Sequence, residues 1–216
     1  VEDTAFAMMS LFEGFDVAYG TYQANPGYQN VSRGKVEIKS TAKTVRGEVT
    51  TDLWSRHLEG ETPLGIIPIR DNDTCLWGCI DVDSYGVSHL DIQRSLDKHK
   101  LPFVVCRSKS GGAHLFLFLA EPAPAGDVQD FLREISVLIG WGSSEVFPKQ
   151  RTVHLERGDL GSWLNMPYFG GDESDRHAIG KDGLGLTVKQ FLARAKSLQQ
   201  HPKFLHQTAD DFRDPA

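Results

Sequence analysis

Asp81 and Asp83 stand either side of Val82 at the end of the apolar run TCLWGCIDVDSY. Side chains alternate along a strand, so both carboxylates leave one face while Val82 enters the core. Paired carboxylates repel and raise each other's pKa, a penalty that a divalent cation removes. Oxygen donors of this kind suit magnesium or manganese. By itself the pattern also describes two exposed acids leading into a turn, which is the commoner case.

Two further elements follow. In SKSGGAHLFLF, Gly111 and Gly112 let the backbone approach a ligand and offer amide donors to an anion. Lys109 adds a charge, Ser110 a hydroxyl, and His114 opens the next strand, so the segment reads as a phosphate cradle. The plainer reading is a Gly-rich hairpin turn with a satisfied histidine. In SSEVFPKQ, Glu145 sits on a short strand ahead of Lys149 and Arg151. A carboxylate one or two strands from Asp81 and Asp83 completes a two-metal acidic site.

The elements that position these groups are legible from Thr50 onward. TTDLWSRHLEG reads as a short helix capped by Thr51 or Asp52 and closed at Gly60. LGIIPIR and TCLWGCIDVDSY, separated by the turn Asp71 to Thr74, read as two strands of a hairpin. Ser88 caps an amphipathic helix over HLDIQRSLDKHK. PFVVCR and AHLFLFLA are strands around the SKSGG loop. AGDVQDFLREISVLIGW is a second helix, SEVFPKQ and SWLNMPYF are short strands, and TVKQFLARAKSLQQ is a final helix. The expected result is a largely antiparallel sheet with helices packed on it, an α+β fold.

Composition narrows the class. A hydrophobic share of 40% and a charged share of 24% suit an ordinary globular chain, and no apolar run reaches membrane-spanning length. The acidic start VEDTAFAMMSLFEGF lacks the basic residues of an export signal, and Val1 in place of Met suggests a larger parent protein. Cys75, Cys79 and Cys106 are expected as reduced, packed thiols in a cytoplasmic protein. A net charge of −6 argues against coating nucleic acid by bulk attraction. The basic segment from Lys35 to Arg46 is a candidate phosphate track or, equally, a solvated surface strand.

Taken in order, CIDVDSY, SKSGGAHLFLF and SSEVFPKQ resemble the three motifs of the archaeo-eukaryotic primase superfamily: an Asp-x-Asp strand end, a Ser…His element, and an apolar residue with an acid. The flanks WSRHLEGETPLGIIPI and GSWLNMPYFGG resemble the primase-polymerase domains of mobile elements, phages and defence systems. The resemblance runs from Leu53 to Gly171. It implies an RRM-like catalytic sheet joined to an N-terminal α/β module, with the active site in the cleft between them.

The implied activity is template-directed nucleotidyl transfer, by a DNA primase-polymerase acting on nucleoside triphosphates, a single-stranded DNA template and a primer. Asp81, Asp83 and Glu145 would hold two Mg²⁺ or Mn²⁺ ions about 3.5–4 Å apart. Lys109, Ser110, Gly111, Gly112 and His114 would hold the triphosphate, with Arg107, Lys149 and Asn165 as further phosphate or sugar contacts. Either Ser108 or Ser110 is the family serine, and Glu156 and Asp159 rival Glu145. The organisation implied is an N-terminal module over 1–60, a catalytic core over 61–200 and a polar, frayed tail over 201–216, with a helicase as a possible companion in the parent protein. Two other readings stand beside this one. One is a non-catalytic RRM-like binder of single strands, stacking bases on Trp163, Tyr168 and Phe169. The other is a metal-dependent glycosyltransferase.

Overall fold

The computed structural model describes residues 2–32 and 35–213, with side chains for 2–22 and 41–213. In chain order, helix α1 (Glu2–Leu11) precedes the strands β1 (Ala18–Ser32) and β2 (Lys35–Arg46) and helix α2 (Thr51–Leu58). Strands β3 (Gly65–Ile66) and β4 (Thr74–Val82), helix α3 (His89–Lys98), and strands β5 (Val104–Arg107) and β6 (Ala113–Pro124) follow. Helix α4 (Ala125–Leu138), strands β7 (Glu145–Phe147) and β8 (Leu164–Asn165), and helix α5 (Val188–Ser197) complete the set. The strands form two antiparallel sheets, so the fold is α+β, and none of the described helices is long and apolar enough to cross a membrane.

From β4 to β7 the order is βαββαβ, and the sheet runs β5-β6-β4-β7. This is the ferredoxin-like arrangement of an RRM-type sheet. Alternation along β4 divides its side chains between two cores. Ile80 and Val82 join Val105, Leu115 and Leu117 beneath Ile92 and Leu96 of α3 and Val128, Leu132 and Ile135 of α4. Trp77 and Cys79 face the other way, with Phe116 and Phe118, toward α1, α2 and α5. There Phe12 stacks on Trp54 at 5.7 Å and stands edge-on to Trp77, Phe116 and Phe118. Such ring pairs each contribute about 0.5–1.5 kcal/mol beyond area burial. Asp81 is the next residue on this aromatic face, just where the core ends.

The second sheet runs β2-β1-β3-β8. Its β1–β2 ribbon is long, and two-residue strands attach to its base through the pairs Gly20↔Gly65 and Gly65↔Asn165. The expected hairpin of LGIIPIR with β4 is not formed. The turn is present, Arg70 N–H donating to the Thr74 carbonyl at 2.8 Å, but Gly65–Ile66 pairs with β1 and β8. The physical reason is burial on both sides: Ile66 enters one core while Ile67 and Ile69 enter the other, which suits a bridge between sheets. The second sheet therefore draws strands from both 1–60 and 61–200. Helix α2 is capped one residue early, by Thr50, whose hydroxyl accepts from Leu53 N–H.

The described part of the expected frayed tail is docked. Phe204 and Phe212 meet the Phe131 ring of α4 at 5.4 and 6.2 Å, and the Phe212 carbonyl lies 2.8 Å from His99 Nδ1. Apolar rings spaced through a polar stretch escape a composition argument.

Candidate active site

Strand β4 lies between β6 and β7, with Asp81 opposite His114 on one side and opposite Glu145 on the other. Residues directly opposite in an antiparallel pair share a face. Sheet register thus sets His114, Asp81 and Glu145 in one row. Asp83 continues the same face beyond the strand end. Asp81, Asp83 and Glu145 line a cavity of about 300 Å³, and the two aspartates also line an adjoining cavity of about 600 Å³.

Each carboxylate is engaged by a protein donor. His114 Nε2 lies 3.4 Å from Asp81 Oδ1, with the imidazole buried edge-on against Phe116. Ser110 Oγ donates to Asp83 Oδ1 at 3.2 Å and lies 3.1 Å from Ser108 Oγ, so both candidate serines belong to one hydroxyl chain. Lys149 Nζ donates to Glu145 Oε2 at 2.7 Å. Among the described residues no three His, Cys, Asp or Glu side chains close into a ready metal cage. The donors still match a hard cation in kind, being carboxylate oxygens on shared cavities. Glu145, whose side chain is 63% exposed, is free to turn from Lys149.

The loop between β5 and β6 differs from the cradle expected of it. Gly111 adopts φ +90° and its N–H donates to the Ser108 carbonyl, closing a turn. A Cβ on Gly112 would lie 2.1 Å from the Val82 carbonyl oxygen, so glycine there lets the loop press against β4. The glycines shape the turn, while the side chains of Ser108, Lys109 and Ser110 reach the larger cavity. Arg107 pairs with Ala113, whose row faces the α3/α4 core, and it lines neither cavity. Its charge instead helps hold the His89 pKa down, second to burial of that ring.

The opposite wall belongs to the second sheet. Trp163, Leu164 and Asn165 line the larger cavity with Lys109, His114 and Tyr85. Lys109 Nζ sits 3.6 Å over the Tyr22 ring of β1. Arg176 donates to the Tyr22 hydroxyl, and its guanidinium lies 5.2 Å from the Phe169 ring. Burial, and then the Arg176 charge, lower the Lys109 pKa. Two cations held this closely favour an anion between them. Nothing in the local sequence GGDESDRHAIG marks Arg176. It arrives because residues 177–179 run along the β5 edge, with Arg107 N–H donating to the His177 carbonyl and Ile179 N–H to that of Val105.

Register thus gathers Asp81, Glu145 and His114, with Asp83 just beyond the strand end, and the cleft gathers Lys109, Ser110 and Asn165. Lys149 is tied to Glu145, and Arg151 to Asp130 on α4. Glu156 and Asp159 are exposed and line neither cavity. Of the proposed stacking aromatics, Tyr168 is fully buried with its hydroxyl donating to the Leu186 carbonyl, and Phe169 packs against His57. Trp163 alone of the three lines the cavity. Lys43 pairs with Thr21, so it lies on the ribbon face opposite Tyr22 and Thr44, away from the cleft. The side chains of Lys35 and Lys39 lie outside the described residues.

No curated protein is significantly similar to the chain. The AEP domain of the cyanophage S-2L primase-polymerase is similar at a TM-score of 0.42 and 11% identity, over 90% of this chain and 98% of that one, which is too loose to assign anything alone. Residues 13–201 match the family described as the archaeo-eukaryotic primase domain of the TOTE conflict system. That span contains both walls of the cleft and every candidate residue named above, and the chain belongs to this archaeo-eukaryotic primase family.

Proposed function

We propose that the chain is a primase-polymerase that joins nucleotides on a single-stranded DNA template from nucleoside triphosphates. The observation that carries this reading is the row His114–Asp81–Glu145, with Asp83 on the same face, opening on a cleft that Lys109 lines, with Arg176 near the same Tyr22 ring. Family membership supports nucleotidyl transfer as the chemical class.

Asp81, Asp83 and Glu145 are the residues to hold Mg²⁺ or Mn²⁺. Divalent cations held by these carboxylates would supply charge neutralisation for the leaving pyrophosphate and polarisation of the attacking 3′-oxygen. Lys109 and Arg176 take the charge of the triphosphate tail. Ser110 and His114 hold Asp83 and Asp81 in place before the nucleotide arrives, and they exchange those bonds for phosphate oxygens afterwards.

Extension of a labelled primer on a single-stranded template, in Mg²⁺ or Mn²⁺, is the test. Asp81→Ala combined with Asp83→Ala abolishes extension without loss of fold, since both carboxylates lie on the cavity surface where the core ends. Extension near the parent rate in that double variant would overturn the assignment. A second reading, a non-catalytic single-strand binder, draws on the open ligand set among the described residues. It predicts binding without metal-dependent extension. A role in a conflict system, as the family's description words it, belongs with the first reading.

A further inference from the structure

Four residues lie in register across the second sheet: Thr44 on β2, Gly20 on β1, Gly65 on β3 and Asn165 on β8. The two central positions carry no side chain, and the indole of Trp163 lies in the gap. A Cβ on Gly20 would stand 1.9 Å from Trp163 Cδ2, and one on Gly65 would stand 2.2 Å from Cε3. Paired glycines weaken a sheet and mark a close approach. Here that approach is an aromatic ring laid on the strands. Trp163 Nε1 donates to Thr44 Oγ1 at 3.1 Å at the far end of the row, which fixes the rotation of the ring in its plane.

We propose that Trp163 is a stacking platform for a nucleobase held in the cleft. One face of the indole is occupied by backbone, its polar edge is satisfied, and the residue also lines the 600 Å³ cavity with Asp81, Asp83, Lys109 and His114. A ring pre-positioned in this way loses little freedom when a flat ligand covers it. Tyr85 lines the same cavity, is 79% exposed and is absent from both hydrophobic cores, so it offers a second ring to the other side of the base. At the near end of the row Asn165 Oδ1 is buried without a hydrogen-bond partner among the described residues, an acceptor that a turn of the amide presents to a base edge. The proposal rests on the nucleotide-handling reading of the site. The base belongs either to the incoming nucleoside triphosphate or to the single strand, and stacking is the shared chemistry.

Calorimetric titration of the parent, Trp163→Leu and Trp163→Phe tests it. The ligands are a deoxynucleoside triphosphate, the matching deoxyribose triphosphate without a base, a single-stranded oligonucleotide, and that oligonucleotide with abasic sites. Base stacking on an aromatic is worth about five- to 150-fold in affinity. Trp163→Leu is expected to lose that factor for a base-bearing ligand and less than about twofold for its base-less counterpart. Trp163→Phe, which keeps a ring on the glycine bed, restores most of the loss. Loss confined to the triphosphate pair assigns the base to the nucleotide, and loss confined to the oligonucleotide pair assigns it to the strand; either supports the platform. Equal losses for base-bearing and base-less ligands would make Trp163 a packing residue and overturn the proposal. So would parent-like affinities in Trp163→Leu, with the nucleotide reading left standing. A parent chain that binds neither triphosphate nor strand would overturn both.

Discussion

Replacing His57 with glutamine probes the joint that holds the second sheet to α2. His57 is fully buried; its Nδ1 accepts from Leu64 N–H at 3.0 Å, so the Nε2–H donates to the Pro167 carbonyl at 2.9 Å. The backbone adds Gly170 N–H donating to the His57 carbonyl. One ring thus ties α2 to the segments entering β3 and leaving β8, the strands beneath Trp163. Burial is the main reason its pKa falls from 6.5 to about 4, and the Arg176 charge lowers it further, against the raising effect of the Pro167 bond. The unfolded chain therefore takes up the proton first as pH falls. The stability contributed by the neutral ring is complete above pH 6.5, declines below it and is gone near pH 4. At about 1.4 kcal/mol per pH unit the whole loss is roughly 3 kcal/mol, and about 2 kcal/mol of it has occurred by pH 5. Glutamine has no proton to gain and leaves the Leu64 N–H unpaired, costing about 1–3 kcal/mol at pH 7.5. Urea unfolding of parent and His57→Gln at pH 7.5 and 5.0 separates the two effects, because all other titrations are common to both. The parent should lose about 2 kcal/mol more than the variant between those pH values. Equal losses would refute the assignment of a neutral, buried ring.

Three further outcomes are expected. His114→Ala should weaken nucleotide binding about ten- to a hundredfold, the worth of one charge-assisted contact, and leave template affinity nearly intact. A fall in template affinity alone would refute the assignment of His114 to the triphosphate. Gly112→Ala places a methyl 2.1 Å from the Val82 carbonyl, so a melting curve should show destabilisation of about 1–3 kcal/mol, and primer extension should fall because Val82 separates the two aspartates. Unchanged stability would mean that the loop is not pressed on β4. Each phosphate contact on a single strand adds about −0.7 to the slope of log affinity against log salt. Lys43 faces away from the cleft, so Lys43→Gln should leave that slope unchanged; a change of about 0.7 would place the template on the outer face of the ribbon.

The order of three chemical elements along the chain was enough to name the family, and alternation alone placed Asp81 and Asp83 on one face. The α+β class, the Ser88 cap and the helices and strands from Val104 to Phe147 were equally readable, because apolar periodicity and capping are local signals. Glu145 was the preferred third acid from its short strand ahead of Lys149, with Glu156 and Asp159 as rivals, but its position directly beside Asp81 follows only from the antiparallel register of β4 with β7. The LGIIPIR segment looked like a partner for β4 because it is adjacent and apolar; burial on both sides sent it to the other sheet. Arg176 and the bed beneath Trp163 were hidden for the same reason. Arg176 meets Tyr22 across 154 positions of sequence, and Gly20, Gly65 and Trp163 come together only when β1, β3 and β8 align. Local propensity acts over a few residues, whereas a cleft is made by strands that pair across the whole chain, and its second wall exists only once they have done so.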